Sequence, residues 1–398
     1  MLSPAVAQRI PQQAVSFAIL GAYPPSQCGA ARFADLLSDA LVLRGSDVGV
    51  VRVADSASSS PNARVIGELV NDSRPSLAAC AELLNQSDVA LIQHQDGIYG
   101  GVHGADLLEV IATLEVPSVV VLHTVLKAPE PHQRWVLERI AATADRIVVM
   151  SEAARERLCR DYAVERTKVT TISYGGTVPA GPRLKRGSRP VLLTWGFLRP
   201  GKGVERVIDA MSSLRDVPGW PRYMVVGPTH PVTLSTDGET YRDARIAQAQ
   251  RAGVADSVDF DDRSYCRSAL TTLIQSASAV VLPYDSTDQD TSAILVDALV
   301  SGRPVVATAF PHAVELLQGG AGIVVDHDDP DAMASALRRV LTKPRLAGAM
   351  AAEARRLAPT MAWSAVADSY VQLGRRVLAE RRARLQRSSS LEAPAIPD

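Results

Sequence analysis

Apolar residues along the chain fall in short runs, separated by stretches where they recur every three or four positions, and this alternation is made in two rounds. The first round has apolar runs at 15–20, 48–53, 89–93, 118–122, 147–150 and 169–172, with helical spacing at 31–43 and 135–144. The second has runs at 191–194, 223–226, 258–260, 279–282, 305–307 and 323–325. Runs that are apolar throughout suit strands covered on both faces, so the pattern predicts an α/β chain with two Rossmann-like, doubly wound domains facing a cleft. Residues 178–190 break the rhythm with three prolines, two glycines and four basic residues. We therefore expect an amino-terminal domain over 1–180, a linker over 181–190 and a second domain over 191–360. The tail 386–398 follows a basic run, is rich in Ser, Pro and Ala, and is expected to be disordered.

Composition narrows the class. A chain of 398 residues with 46% hydrophobic content can fill two cores. Its net charge of -1 gives no footprint for nucleic acid or an anionic membrane. Four cysteines, Cys28, Cys80, Cys159 and Cys266, lie far apart without metal-ligand spacing, which suits reduced thiols. No stretch approaches the roughly 20 apolar residues of a membrane span. A cytoplasmic location is expected.

The most informative stretch is 279–325, which reads as strand, polar loop, helix over 291–300, a Ser301-Gly302 stop and a second apolar run at 304–307. Its loop leaves the carboxyl end of a strand and opens a helix, where phosphates and sugars bind in such sheets. Gly196-Phe-Leu-Arg-Pro-Gly-Lys-Gly203 has the same context and adds the Lys202 ammonium to the backbone amides, so it reads as a diphosphate cradle rather than a turn with a solvated lysine. It is not a Walker A loop. The first loop, Gly21-Ala-Tyr-Pro-Pro-Ser-Gln-Cys-Gly-Ala-Ala-Arg32, lacks GxGxxG spacing, and only Asp55 lies near the end of the second run to meet a ribose, so a nicotinamide site is poorly supported. His123 closes the 118–122 run, where its imidazole can bond a hydroxyl, move a proton, or simply pack. Asp288-Gln-Asp290 has a metal-like spacing, whereas the acidic residues of 326–329 read as a solvated loop before Pro330.

Together these residues resemble the retaining glycosyltransferases of family 4, enzymes of the two-Rossmann-domain GT-B class, over about residues 15–380. The likeness is carried by Cys28-Gly29-Ala-Ala-Arg-Phe33, His123, Val149-Met-Ser-Glu-Ala153, Gly201-Lys-Gly203 and Asp297-Ala-Leu-Val-Ser-Gly-Arg-Pro-Val-Val306. His94-Gln-Asp-Gly-Ile-Tyr-Gly-Gly101, Thr229-His-Pro231 and Gly238-Glu-Thr-Tyr-Arg242 are further similar to a bacterial branch. Trp363 onward resembles the start of a helix that crosses back onto the first domain, expected over 361–385.

What the resemblance implies is transfer of a hexose from a nucleoside-diphosphate sugar, held by the second domain, to a hydroxyl of a glycan or small-molecule acceptor held by the first. Lys202 would neutralise the diphosphate, with Arg199 standing in for a basic residue where this chain has Phe197. Family members carry two glutamates with seven residues between them; Gln289 and Asp297 occupy those places here. The resemblance thus assigns catalysis to His123, Gln289 and Lys202. Donor binding falls to Gly29, Arg199, Lys202, Asp290, Thr291, Ser292 and Asp297, with Asp290 as a displaced carboxylate. Neither a metal nor a cofactor is expected, and no nucleic acid or membrane span. Gln289, and Ser173-Tyr-Gly-Gly176 where the family has Pro-His-Gly, keep open a weakly active or non-catalytic nucleotide-sugar binder. A sugar-nucleotide epimerase or phosphorylase is the other alternative.

Overall fold

A computed structural model describes residues 14–54, 62–180, 187–329 and 331–391. Asp55, the linker positions 181–186, Pro330 and the tail 392–398 lie outside the described residues. The first seven strands are β1 (Phe17–Gly21), β2 (Val48–Ala54), β3 (Val65–Val70), β4 (Val89–His94), β5 (Ser118–Leu122), β6 (Arg146–Val149) and β7 (Val169–Thr171). They form one parallel sheet in the order β3-β2-β1-β4-β5-β6-β7. The second sheet holds β8 (Val191–Trp195), β9 (Arg222–Val226), β10 (Val258–Asp261), β11 (Ala279–Leu282), β12 (Val305–Thr308) and β13 (Gly322–Val325). Its order is β10-β9-β8-β11-β12-β13, again parallel.

Both sheets reverse their strand order at their first strand, β1 and β8. Ligands of doubly wound sheets bind at this switch point, outside the carboxyl ends of the strands. The loops after β1, β8 and β11 carry most of the candidate site. Strands β1, β5 and β11 are buried along their whole length, which is why their runs are unbroken in sequence. Each fully buried Leu, Ile or Phe of these strands contributes about 1.5–3 kcal/mol.

Four elements differ from the sequence expectation. β3 was absent from it, because Gly67 and Glu68 interrupt its apolar pattern at the sheet edge. The helices expected from 31 and 135 begin earlier, as Gly29–Leu43 and Pro131–Thr143. Cys28 Sγ accepts from the Ala31 N–H at 3.4 Å in the first, and the Gln133 side chain accepts from the Glu130 N–H at 2.8 Å in the second. The tail expected to be disordered from 386 is helical through Leu391, since the terminal helix Trp363–Leu391 runs on through a stretch of Ala, Leu, Glu and Arg, all good helix formers.

That terminal helix packs on the amino-terminal domain. Arg44 meets Asp368 at 2.8 Å, Arg384 meets Asp145 at 3.6 Å, and Arg146 pairs with Glu380. Tyr370, Leu373 and Val377 share a core with Val15 and Phe17. The chain passes between the domains twice, and the passages lie side by side: Gly176 N–H donates to Met361 O at 2.7 Å and Trp363 N–H to Gly176 O at 3.2 Å. A Cβ on Gly175 would stand 2.3 Å from the Trp363 ring and one on Gly176 2.7 Å from Val300, so the Gly-Gly pair is required by packing at the crossing.

Candidate active site

The turn after β8 is built around Gly203. Its φ of 69° is left-handed, it caps the helix Val204–Ser212, and a Cβ there would lie 1.7 Å from the Pro283 carbonyl oxygen. The β8 turn and the β11 loop therefore touch backbone to backbone, and Asp285 N–H donates to Gly201 O at 3.1 Å. Contact at this range sets Lys202 over the Tyr284 ring, its Nζ 4.7 Å from the centroid and 3.4 Å from the hydroxyl. The same Nζ would be 3.5 Å from a Cβ on Gly196, and Ile294, in the first turn of the helix Ala293–Val300, borders that point at 3.0 Å.

No carboxylate answers this cation. Among the described residues Lys202 makes no ion pair, and the exposed Arg199 side chain makes neither a hydrogen bond nor an ion pair, although its carbonyl accepts from the Lys202 N–H at 3.1 Å. Burial, and next the Arg199 charge, push the Lys202 ammonium down to about 7. Lysine, arginine and a helix start thus converge with no anion.

The β11 loop shows what holds the family-glutamate positions. The half-buried Gln289 donates through Nε2 to Thr291 O at 3.1 Å, and its backbone carbonyl accepts from the His312 backbone N–H at 3.3 Å. His312, 1% exposed at the start of the helix Pro311–Leu317, accepts the Ser292 N–H on Nδ1 at 2.8 Å. Burial pushes His312 down to about 4, which keeps it a neutral acceptor. The Ser292 amide, expected to meet donor phosphate, is therefore engaged, and its hydroxyl caps the helix by accepting from Leu295 N–H at 3.3 Å. The half-buried Thr291 remains at the helix start. Sequence reasoning missed His312; a histidine after Pro311 at a strand-to-helix turn was its only signal.

Two acidic residues expected to serve the donor are engaged across the cleft. Asp290, 2% exposed, accepts the Val125 N–H at 2.8 Å and lies 3.7 Å from Arg157. It ties the loop after β5 to the loop after β11, so its carboxylate is turned to the amino-terminal domain and is not displaced toward the donor. Burial raises it to about 6 against the opposing pull of the Val125 N–H and Arg157. Asp297 bonds Arg32 at 2.9 Å, from the first turn of the Gly29–Leu43 helix. Arg32 had been named only as part of a motif.

His123 sits where β5 ends. Its backbone N–H donates to His94 O at 2.9 Å, its Nε2 lies 2.6 Å from Gln93 Oε1, and the Phe33 ring meets it edge-on at 5.1 Å. Burial, then the neighbouring His94, pushes its imidazole down to about 3. A ring this reluctant to charge is neutral where it meets Gln93. Gly29 is exposed, with no atom within 4 Å of where a Cβ would point, so the start of its helix is open to solvent.

Two parallel doubly wound domains with an uncompensated cationic turn on one side of a cleft and a strand-end histidine on the other define the GT-B class. The family described as Glycosyl transferases group 1 matches residues 181–357, and Glycosyltransferase Family 4 matches 28–175. A D-inositol 3-phosphate glycosyltransferase of Rhodococcus jostii is 26% identical over 258 residues, 61% of this chain and 55% of the relative. One of Streptomyces avermitilis is 29% identical over 284 residues, 64% of this chain and 60% of the relative. The chain thus spans between half and two thirds of these curated relatives. Among solved structures, a Rickettsia africae glycosyltransferase superposes with a TM-score of 0.73 at 13% identity, covering 92% of this chain and 99% of the other. Anabaena HepE in complex with UDP and glucose gives 0.70 at 14%, covering 90% and 99%. The chain belongs to the group 1 glycosyltransferases, with a family 4 amino-terminal domain.

Proposed function

We propose that this protein transfers a hexose from a nucleoside-diphosphate sugar to an acceptor hydroxyl with retention at the anomeric carbon. The observation that carries this reading is the uncompensated cation set at the end of β8, where Lys202, Arg199 and the start of the Ala293–Val300 helix converge. The relatives named as glycosyltransferases and the solved HepE complex with UDP and glucose support the same class of donor.

In the proposed reaction the bond from the anomeric carbon to the diphosphate oxygen breaks with its electron pair leaving on the nucleoside diphosphate. Lys202 and Arg199 stabilise that charge, the role a divalent cation fills in other transferases. The acceptor oxygen attacks from the face the leaving group departs, and its proton passes to the departing phosphate oxygen. His123 and Gln289 hold sugar hydroxyls. Gln289 is uncharged, so it orients the sugar and adds little to a developing positive charge. A binding protein without turnover is the reading this residue favours in second place.

The test is a thermal-shift titration with UDP, GDP, their hexose conjugates and NAD, on the wild type and Lys202→Ala. A nucleotide-sugar at a hundred times its Kd should add about 2.7 kcal/mol, and Lys202→Ala should lose that gain. The gain should also shrink with pH. Lys202 is cationic below about 7 and a bound diphosphate raises its pKa, so affinity is fullest below 7 and falls as pH rises through it. Stabilisation by NAD alone, or a Lys202→Ala response equal to wild type, overturns the reading. Donor binding with no transfer to any acceptor selects the non-catalytic alternative.

A further inference from the structure

The amino-terminal domain contains a cavity of about 150 Å³ that the donor site does not use, bounded by His94, Asp96, His103, Thr124, Gln133 and Tyr162 among others. Sites for drug-sized ligands run to roughly 300–1,000 Å³, so this one has room for a single sugar ring. It lies outside the carboxyl ends of β4 and β5, where His94 ends one strand and Thr124 follows the other. The loop that supplies Thr124 is pinned to the donor-side loop: Val125 N–H bonds Asp290 at 2.8 Å and Lys127 meets Asp288 at 3.2 Å. A loop that lines the cavity is thus tied to the loop that bears Gln289.

The lining of the cavity is mixed, with Leu126, Pro129, Val136 and Leu137 beside the polar groups, and it is free of fixed positive charge. No lysine or arginine lines it. The cations nearby are already paired: Lys127 with Asp288, Arg157 with Asp290 at 3.7 Å, and Arg134 stacked on Tyr162 at 4.8 Å and bonded to Asp161 O. His94 Nδ1 is buried without a hydrogen-bond partner, which costs folding free energy. Asp96 accepts from Gln133 through one oxygen at 2.9 Å, leaving the other for a hydroxyl. A carboxylate there repels a phosphate.

The rim is aromatic. His103 holds a left-handed backbone at φ 53° and ψ 32°, a conformation that costs a non-glycine residue free energy. In that pose its ring lies 5.4 Å from His132, which lies 5.5 Å from Trp135. Trp135 is 49% exposed although it is large and apolar. The three rings form a ladder from the cavity out along the Pro131–Thr143 helix, and an exposed aromatic face of this kind suits the apolar face of a pyranose.

We propose that the acceptor is an uncharged glycan, its terminal ring in this cavity and its next ring on the His103, His132 and Trp135 ladder, rather than a phosphorylated polyol. The proposal rests on the glycosyltransferase reading above and adds the class of acceptor. It separates this chain from the relatives whose names carry inositol phosphate, since a phosphate would meet Asp96 and no lysine or arginine.

The test uses the full chain with UDP present and ligand-observed NMR on maltose, methyl α-mannopyranoside and D-myo-inositol 3-phosphate. A neutral sugar should bind saturably. Trp135→Ala should weaken the disaccharide about threefold to tenfold, in line with the worth of a ring contact, and Trp135→Phe should restore most of it. Inositol phosphate binding more tightly than the neutral sugars, binding by neither class, or a disaccharide indifferent to Trp135→Ala each overturns the proposal. UDP binding is read in the same samples by thermal shift. Sugar binding without UDP binding counts against the transferase reading and leaves the glycan site standing; UDP binding without sugar binding does the reverse.

Discussion

Asp290 shows how a single side chain can be misread when only its neighbours in sequence are known. Its place beside Gln289 suggests a donor contact, yet its carboxylate is buried against Val125 and Arg157 of the other domain. Burial raises its pKa to about 6, so the folded state holds its proton more tightly than the unfolded chain does. The folded protein therefore binds more protons between the ordinary carboxylate pKa and about 6, and its stability falls as pH rises through that window. A shift of this size corresponds to about 2–3 kcal/mol at most. Asn keeps the acceptor for Val125 without the charge. Asp290→Asn should thus be as stable as wild type near pH 4 and gain on it by pH 7 in denaturant melts. A variant that loses stability at pH 7 would mean that attraction to Arg157 outweighs desolvation. Arg32 and His312 were equally hidden, because the partner of one lies 265 positions away and that of the other 20.

At the level of elements the sequence was more readable. Buried parallel strands are apolar on both faces, so each leaves an unbroken run, and only the edge strand β3, with Gly67 and Glu68 inside it, escaped. Turn chemistry was legible too, since Gly201-Lys-Gly203 stood out after a strand. What could not be read was why the last glycine is there. The clash of a Cβ with the Pro283 carbonyl shows that the turn is fitted to the β11 loop, which then places Lys202 over Tyr284. Gly203→Ala combines left-handed strain with that clash and should cost about 1–3 kcal/mol. UDP affinity should fall further than Lys202 alone explains, because the loop carrying Gln289 moves as well. Calorimetry on Gly203→Ala and Lys202→Ala side by side would show it, and equal losses in both would count against coupled loops.

For the whole molecule, the cleft is fastened by charges that belong to different domains. Glu315 accepts the Glu152 and Ala153 N–H groups at 3.1 and 3.0 Å, so one domain caps a helix of the other. Arg32 on Asp297 is a second fastening, and it engages one oxygen of a carboxylate that, on the reading proposed above, would accept from the ribose of the donor. A nucleotide that needs Asp297 must first displace Arg32, which reduces its apparent affinity by the fraction of molecules in which the pair is open. Arg32→Gln should therefore favour UDP over pyrophosphate, which has no ribose, by up to about tenfold. An unchanged UDP to pyrophosphate ratio would show that the two do not compete.

The neighbouring passages at Gly176 and Met361–Trp363 carry a lesson for recombination. Because the chain leaves the first sheet and returns to it at hydrogen-bonded neighbours, the second domain is an insertion in the first, and the first is completed only by residues that come after it. A hybrid cut once, at the interdomain segment, would join a foreign terminal helix to this chain's Phe17 and Arg44. A hybrid that exchanges the intervening cassette and keeps both flanks native leaves those contacts whole, so the second domain can be traded between relatives as one removable part.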